Sequence, residues 1–172
     1  MRLLRRRREI ITLFVLLVAP VAAAQAAQAA DDTREVWATV NVCDTEHAPN
    51  TIGIRASMPG SRSGAEVRWM RFVVEYYAQA DERWHRLAAG GDSGLLRVGK
   101  GRLPRQFGRS LRIEPTAGKS VLLRGRVFFQ WRTEGGEILE RASARTRKGR
   151  RSNAGADPPG YSASICTINP DK

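Results

Sequence analysis

One run constrains the fold of this chain more than any other: Val121 to Arg132, reading Val-Leu-Leu-Arg-Gly-Arg-Val-Phe-Phe-Gln-Trp-Arg. Its odd positions (Val121, Leu123, Gly125, Val127, Phe129 and Trp131) are all apolar or glycine, whereas Arg124, Arg126, Gln130 and Arg132 occupy even ones. Alternation with period two, in β-branched and aromatic residues, is the mark of a strand with one buried and one solvated face. A helix would need apolar residues at i, i+3 and i+4, which the run does not supply. It is therefore expected to be a long central strand of an antiparallel sheet.

The N-terminus carries a different pattern. Arg2 and Arg5 to Arg8 make a basic region, Ile10 to Ala24 is apolar, and Ala22 to Ala30 offers small-x-small cleavage sites. Residues 1–30 are accordingly expected to be a secretory signal peptide. Arg7-Arg8 loosely suggests a twin-arginine signal, but the strongly apolar stretch favours the general secretory route. An uncleaved anchor is the alternative, and would be the chain's one membrane contact. Against it, the apolar stretch contains Pro20 and falls short of the ~20 residues of a spanning helix. Localisation is expected to be secreted or at the cell envelope.

Cleavage leaves residues 31–172 as a single domain, long enough to bury roughly two thirds of its unfolded surface. Losing five Arg and one Glu with the leader takes the formal charge from +12 to +8. All but four basic residues of the whole chain are Arg, a bias that a GC-rich genome produces by codon usage alone. Even so, this surplus on a small secreted domain favours anionic partners.

Cys43 and Cys166 are the only cysteines. In an oxidising compartment they are expected to pair. Strand alternation puts Cys43 on the face of Trp37 and Thr39, and Cys166 on the face of Ser162 and Ser164. Both faces are the more polar ones, so the bridge reads as a peripheral clamp between adjacent first and last strands, not one through the core.

The remaining strands follow from the same alternation and its breakers. They are expected at 35–43, 51–57, 66–78, 84–87, 95–98, 107–113, 137–146 and 161–168, beside the run at 121–132. Gly135-Gly136 is a hairpin turn, Gly99 to Arg105 a basic connection, and Arg145 to Pro159 the least structured stretch. The chain is thus expected to be all-β, an antiparallel sandwich of about seven to nine strands. Its strand order resembles immunoglobulin and fibronectin type III folds, with 121–132 as the penultimate strand. Val40-Asn41-Val42-Cys43-Asp44 and Asn50 to Ala56 also resemble uncharacterised secreted proteins of actinobacteria. That resemblance implies export and a sandwich, and no activity.

Several residues invite a chemical reading. Gly91-Asp92-Ser93-Gly94 matches the nucleophile region of chymotrypsin-like proteases, but the next glycine of that pattern is Leu95 here. The histidine context is also missing, since His47 stands in Thr-Glu-His-Ala and His85 in Trp-His-Arg. A Gly-rich turn accounts for the match. Asp44, Glu46 and His47 are three metal-ligand types in four residues, yet they follow no calcium- or zinc-site spacing. An exposed polar loop explains them, and neither metal nor cofactor is expected.

Basic residues interleaved with aromatics carry more weight. In an immunoglobulin-like sandwich the strands at 66–78, 121–132 and 137–146 lie side by side. Their outer faces would present Trp69, Arg71, Arg124, Arg126, Phe128, Arg132, Arg141 and Arg145, extended by the Arg145–Arg151 loop. Guanidinium groups fork onto carboxylates, sulfates and phosphates, and aromatic faces stack on rings. The expected function is a non-enzymatic binding module for an anionic polymer or another envelope protein. Nucleic acid is a poor physiological candidate after export. Three alternatives stand beside it: a solvated face whose arginines are compositional, an accessory domain that pairs through a strand edge, and a cell-envelope hydrolase or metal-dependent enzyme. The last would use the Asp44–His47 loop, His85 and Ser93, and requires those groups in one pocket.

Overall fold

The computed structural model describes residues 35–116 and 118–170; the expected leader lies outside the described residues. Among the described residues nine strands follow one another: β1 (Trp37–Cys43), β2 (Thr51–Met58), β3 (Val67–Ala78), β4 (Arg83–Arg86), β5 (Leu96–Gly99), β6 (Arg105–Arg112), β7 (Val121–Arg132), β8 (Ile138–Arg145) and β9 (Cys166–Ile168). No helix occurs among the described residues. The strands form an all-β sandwich of two antiparallel sheets.

The smaller sheet has the order β1-β2-β6. The larger is built on the β3–β7 pair, which runs in unbroken register from Val67↔Arg132 to Tyr76↔Leu123. β4 and β5 share the other edge of β3, and β8 and β9 share the other edge of β7. β7 has the bounds and the inward face that its alternation predicts: Leu123, Gly125, Val127, Phe129 and Trp131 are all buried.

Between the sheets, Ile52, Ile54, Ala56 and Met58 of β2 face Met70, Phe72 and Val74 of β3 and Leu123, Val127 and Phe129 of β7. Full burial of each of these side chains except Ala56 stabilises by about 1.5–3 kcal/mol. Gly125 lets the sheets meet: a Cβ there would lie 2.7 Å from Ile54 Cδ1 and 2.8 Å from Thr146 Cγ2.

Two expectations need correction. The stretch from Arg145 to Pro159 is not loose; residues 146–163 run along the outer edge of β1. Val40 exchanges backbone hydrogen bonds with Ala163, Arg147 N–H donates to the Ala38 carbonyl, and Asp157 N–H to that of Asn41. Thr39 and Asn41 are consequently buried, although their alternation marks an outward face. A free strand edge leaves backbone donors and acceptors without partners, and this segment supplies them without any regular period of its own. The expected last strand shrinks to Cys166–Ile168 for the same reason, because Ala163 is bonded to β1 instead.

The second correction concerns the disulfide. Cys43 and Cys166 are bonded, with Cα atoms 5.4 Å apart. Their strands lie in different sheets, however, and Cys166 is buried in the core cluster beside Ile168. The bridge ties sheet to sheet and is not a clamp between neighbouring strands. Alternation assigned Cys166 to the face of Ser164, but that count assumed one continuous strand from Tyr161.

Candidate anion-binding face

The sequence places eight residues on one outer face, and the register brings their strands together. Trp69 lies opposite Gln130, and Arg71 opposite Phe128, across β3 and β7. Arg126 lies opposite Arg145, and Gln130 opposite Arg141, across β7 and β8. Arg124 and Arg132 complete the face toward the two ends of β7.

Part of that positive charge is already neutralised, by Glu75 and Asp92. Arg124 donates to Glu75 at 2.6 Å and stacks its guanidinium 4.2 Å from the Trp84 ring centre. Arg126 sits 3.9 Å from the other Glu75 oxygen and 5.0 Å from the Phe128 ring. Arg132 binds the Gln130 amide oxygen at 2.9 and 2.5 Å and lies 5.4 Å from the Trp69 ring. These contacts seat each guanidinium over an aromatic ring and restrain it, which leaves less motion to lose on binding.

Arg71 is held by Asp92, from Nε at 2.9 Å and from Nη2 at 2.5 Å. Arg86 bonds the same carboxylate. The Arg71 hydrogen bonds, helped by a bond from Gly94 N–H and by the charges of Arg71 and Arg86, hold the Asp92 carboxyl at about 2 against the opposing effect of burial. Asp92 reaches this position because residues 91–93 pair with β3 between β4 and β5: Gly91 accepts from Val74 N–H, and Ser93 N–H donates to Phe72. Sequence reasoning missed Trp84, Arg86 and Asp92 as members of this face. Glu75, one of the few acids there, shares the outer side of β3 with Arg71 by alternation, whereas nothing in the chain order signals Asp92.

Arg141 and Arg145 are exposed and make no ion pair among the described residues. Arg145 opens onto a cavity of about 340 Å³ where the end of β8 meets the start of β1. Arg126, Arg145, Arg147 and Arg150 line it, with Trp37 and Ser143; Glu35 is the one carboxylate among the lining residues. Arg147 is fixed by its backbone bond to Ala38. Arg150 reaches Glu35 at 3.4 Å and lies 5.5 Å from the Trp37 ring. The cavity thus offers guanidinium donors, a hydroxyl and an indole face together, a set suited to an anionic group attached to a ring.

The residues considered for catalysis or metal binding are engaged elsewhere. Asp44, buried, accepts from the backbone N–H of Asn50 at 2.9 Å and of Asn169 at 3.4 Å, which ties its loop to the C-terminal segment. His47 is exposed, 3.4 Å from Asp157. His85 is hydrogen-bonded to Asp81 at 2.7 Å and packs beside Tyr76. The Ser93 hydroxyl accepts from Phe72 N–H and donates to the Gly94 carbonyl. No hydrogen bond or ion pair links His47, His85 and Ser93 to one another. Among the described residues no three His, Cys, Asp or Glu side chains gather where they could hold a metal ion.

No protein-family model matches this chain, and no curated protein matches it significantly in sequence.

Proposed function

We propose that this chain is an exported, non-enzymatic binding module that holds an anionic cell-envelope or extracellular polymer in the arginine-lined cleft between β1 and β8. The observation that carries this reading is the meeting of Arg126, Arg145, Arg147 and Arg150 around one cavity, with Glu35 the one carboxylate among its described lining residues. The partly neutralised sheet face beside it extends the positive surface, with Arg124, Arg126 and Arg132 restrained over Trp84, Phe128 and Trp69. The reading includes cleavage of the N-terminal leader, kinship with secreted actinobacterial proteins, and an immunoglobulin/fibronectin III-like strand arrangement. The oxidised Cys43–Cys166 pair supports export, since such bridges persist in oxidising compartments.

Retention on immobilised sulfated polysaccharide and on a polyphosphodiester, across a salt series, tests the proposal. Log affinity should fall linearly with log salt, with a slope of roughly 0.7–0.9 per neutralised charge. The pair Arg145→Glu and Arg147→Glu should abolish retention on both resins, while reversal of Arg109 on β6 leaves it unchanged. Retention that survives the cleft pair, or none at all near physiological salt, would overturn the assignment.

A further inference from the structure

The sequence offers only a basic connection over Gly99–Arg105, yet this loop between β5 and β6 is held from two sides. Arg68 occupies a core-facing position of β3, alternating with Met70, and is the largest side chain in the fold to be fully buried. Its guanidinium donates to the Leu103 carbonyl at 2.8 Å and the Lys100 carbonyl at 2.7 Å, while Nε finds no partner. On the other side Gly60 packs against the Arg102 carbonyl so closely that a Cβ would sit 2.0 Å from it.

What this clamp presents is an apolar tip among cations. Leu103 is 79% exposed, the most of any large hydrophobic residue among those described. Lys100, Arg102, Pro104 and Arg105 beside it are exposed as well. Lys100 is paired with Glu134, whereas Arg102 and Arg105 make no ion pair among the described residues. Burying a guanidinium against carbonyls alone is costly, because no counter-charge offsets its lost hydration. A loop that served only as a connection would not need that anchor. A loop that must hold one leucine away from the protein would.

We infer that the Gly99–Arg105 loop docks on an anionic lipid bilayer, with Leu103 inserted at the headgroup–acyl boundary and Arg102 and Arg105 at the phosphate level. Arginine suits that position, since its stem lies along apolar surface while the guanidinium forks onto phosphate oxygens. An anionic headgroup plane supplies the counter-charge that Arg102 and Arg105 lack, and the tip itself carries no carboxylate to oppose it. One leucine and two or three cations give a weak and reversible contact, an addition to other surface attachment and not an anchor. The contact stands apart from the β1–β8 cleft, which uses other residues.

The two native cysteines are joined, so a cysteine placed at Leu103 is the one thiol available for a polarity-sensitive fluorophore. The full chain labelled at Leu103→Cys should show a blue shift with phosphatidylglycerol-containing vesicles and none with phosphatidylcholine alone. Labels at Leu139→Cys and Ile165→Cys, the other exposed large hydrophobics, should not respond. Combining Arg102→Gln with Arg105→Gln should weaken the apparent partition about 25-fold, roughly fivefold per cation. Reversing Arg145 and Arg147 should leave the saturated shift at Leu103 intact, which separates this site from the cleft. No shift at Leu103, an equal shift with neutral vesicles, or equal shifts at all three positions would overturn the inference. So would a shift produced by inorganic phosphate without vesicles, which would mean a soluble anion at the loop.

Discussion

Replacing Gly125 with alanine adds one methyl group to the inner face of β7. Strand energetics alone favour the change, because glycine in a strand interior costs about 0.5–1 kcal/mol relative to alanine. Packing opposes it. The new Cβ would lie 2.7 and 2.9 Å from Ile54 Cδ1 and Cγ1, and 2.8 Å from Thr146 Cγ2. Comfortable carbon–carbon separations are about 3.5–4.0 Å, so each pair is short by close to 1 Å. Ile54 has no free surface to move into. Thr146 is held at both ends of its hydroxyl, donating to the Ser164 carbonyl at 2.6 Å and accepting from Gly125 N–H at 3.0 Å. Overpacking of this kind costs about 1–3 kcal/mol, which outweighs the backbone gain and should leave a net loss near 1–2 kcal/mol.

Urea denaturation of Gly125→Ala, Ile54→Val and the double variant measures this directly. Ile54→Val alone should cost about 0.5–1.5 kcal/mol. In the alanine background it removes the closest clashing atom, so it should cost less or even stabilise, with a coupling of about 1 kcal/mol. A Gly125→Ala protein as stable as the parent, or strict additivity of the two changes, would refute the claim that Gly125 sets the spacing between the sheets.

Two further outcomes follow from the same geometry. The disulfide closes a loop across a sequence separation of 123, so the double variant Cys43→Ala, Cys166→Ala should lose about 4–5 kcal/mol by the chain-entropy account and roughly 10–20 °C in Tm. A Tm within about 3 °C of the parent would show that the core and the 146–163 segment hold the sheets together without the bridge. Asp92 titrates at about 2, below its ordinary 3.8, so its contribution is complete at neutral pH and disappears as pH falls from about 4 toward 2. Allowing for solvent screening of a carboxylate about a quarter exposed, Asp92→Asn should cost about 1–2 kcal/mol at neutral pH and nothing at the acid limit. Equal losses at both pH values, read by urea denaturation, would remove the ion pair with Arg71 from the account.

Local alternation carried a large part of the fold and of the candidate face. β7 needed nothing more than its own period, and Trp69, Arg71, Arg124, Arg126, Phe128 and Arg132 share a side because side-chain direction in a strand is set by the residue before and after. The same count pointed Arg68 inward beside Met70, a signal for the buried guanidinium that a reading intent on the outer arginines passes over. Strand breakers likewise placed β2 through β5 to within a residue or two.

What lay beyond the sequence is whatever depends on segments far apart in the chain. Asp92 cancels the charge of Arg71 only because the 91–94 turn inserts along the edge of β3. Trp37, Arg147 and Arg150 share a cleft with Arg126 only because residues 146–163 return along β1. Cys166 is buried only because β9 pairs with β7 in the opposite sheet from Cys43. Alternation is a property of consecutive bonds, so the chain by itself determined the two faces of each continuous strand, but not where a strand breaks or what covers its outer face, as Cys166, Thr39 and Asn41 show. Edge pairing and charge pairing are settled by backbone groups and carboxylates seeking partners across the assembled sandwich, so only the tertiary structure decided which arginines remain free to bind.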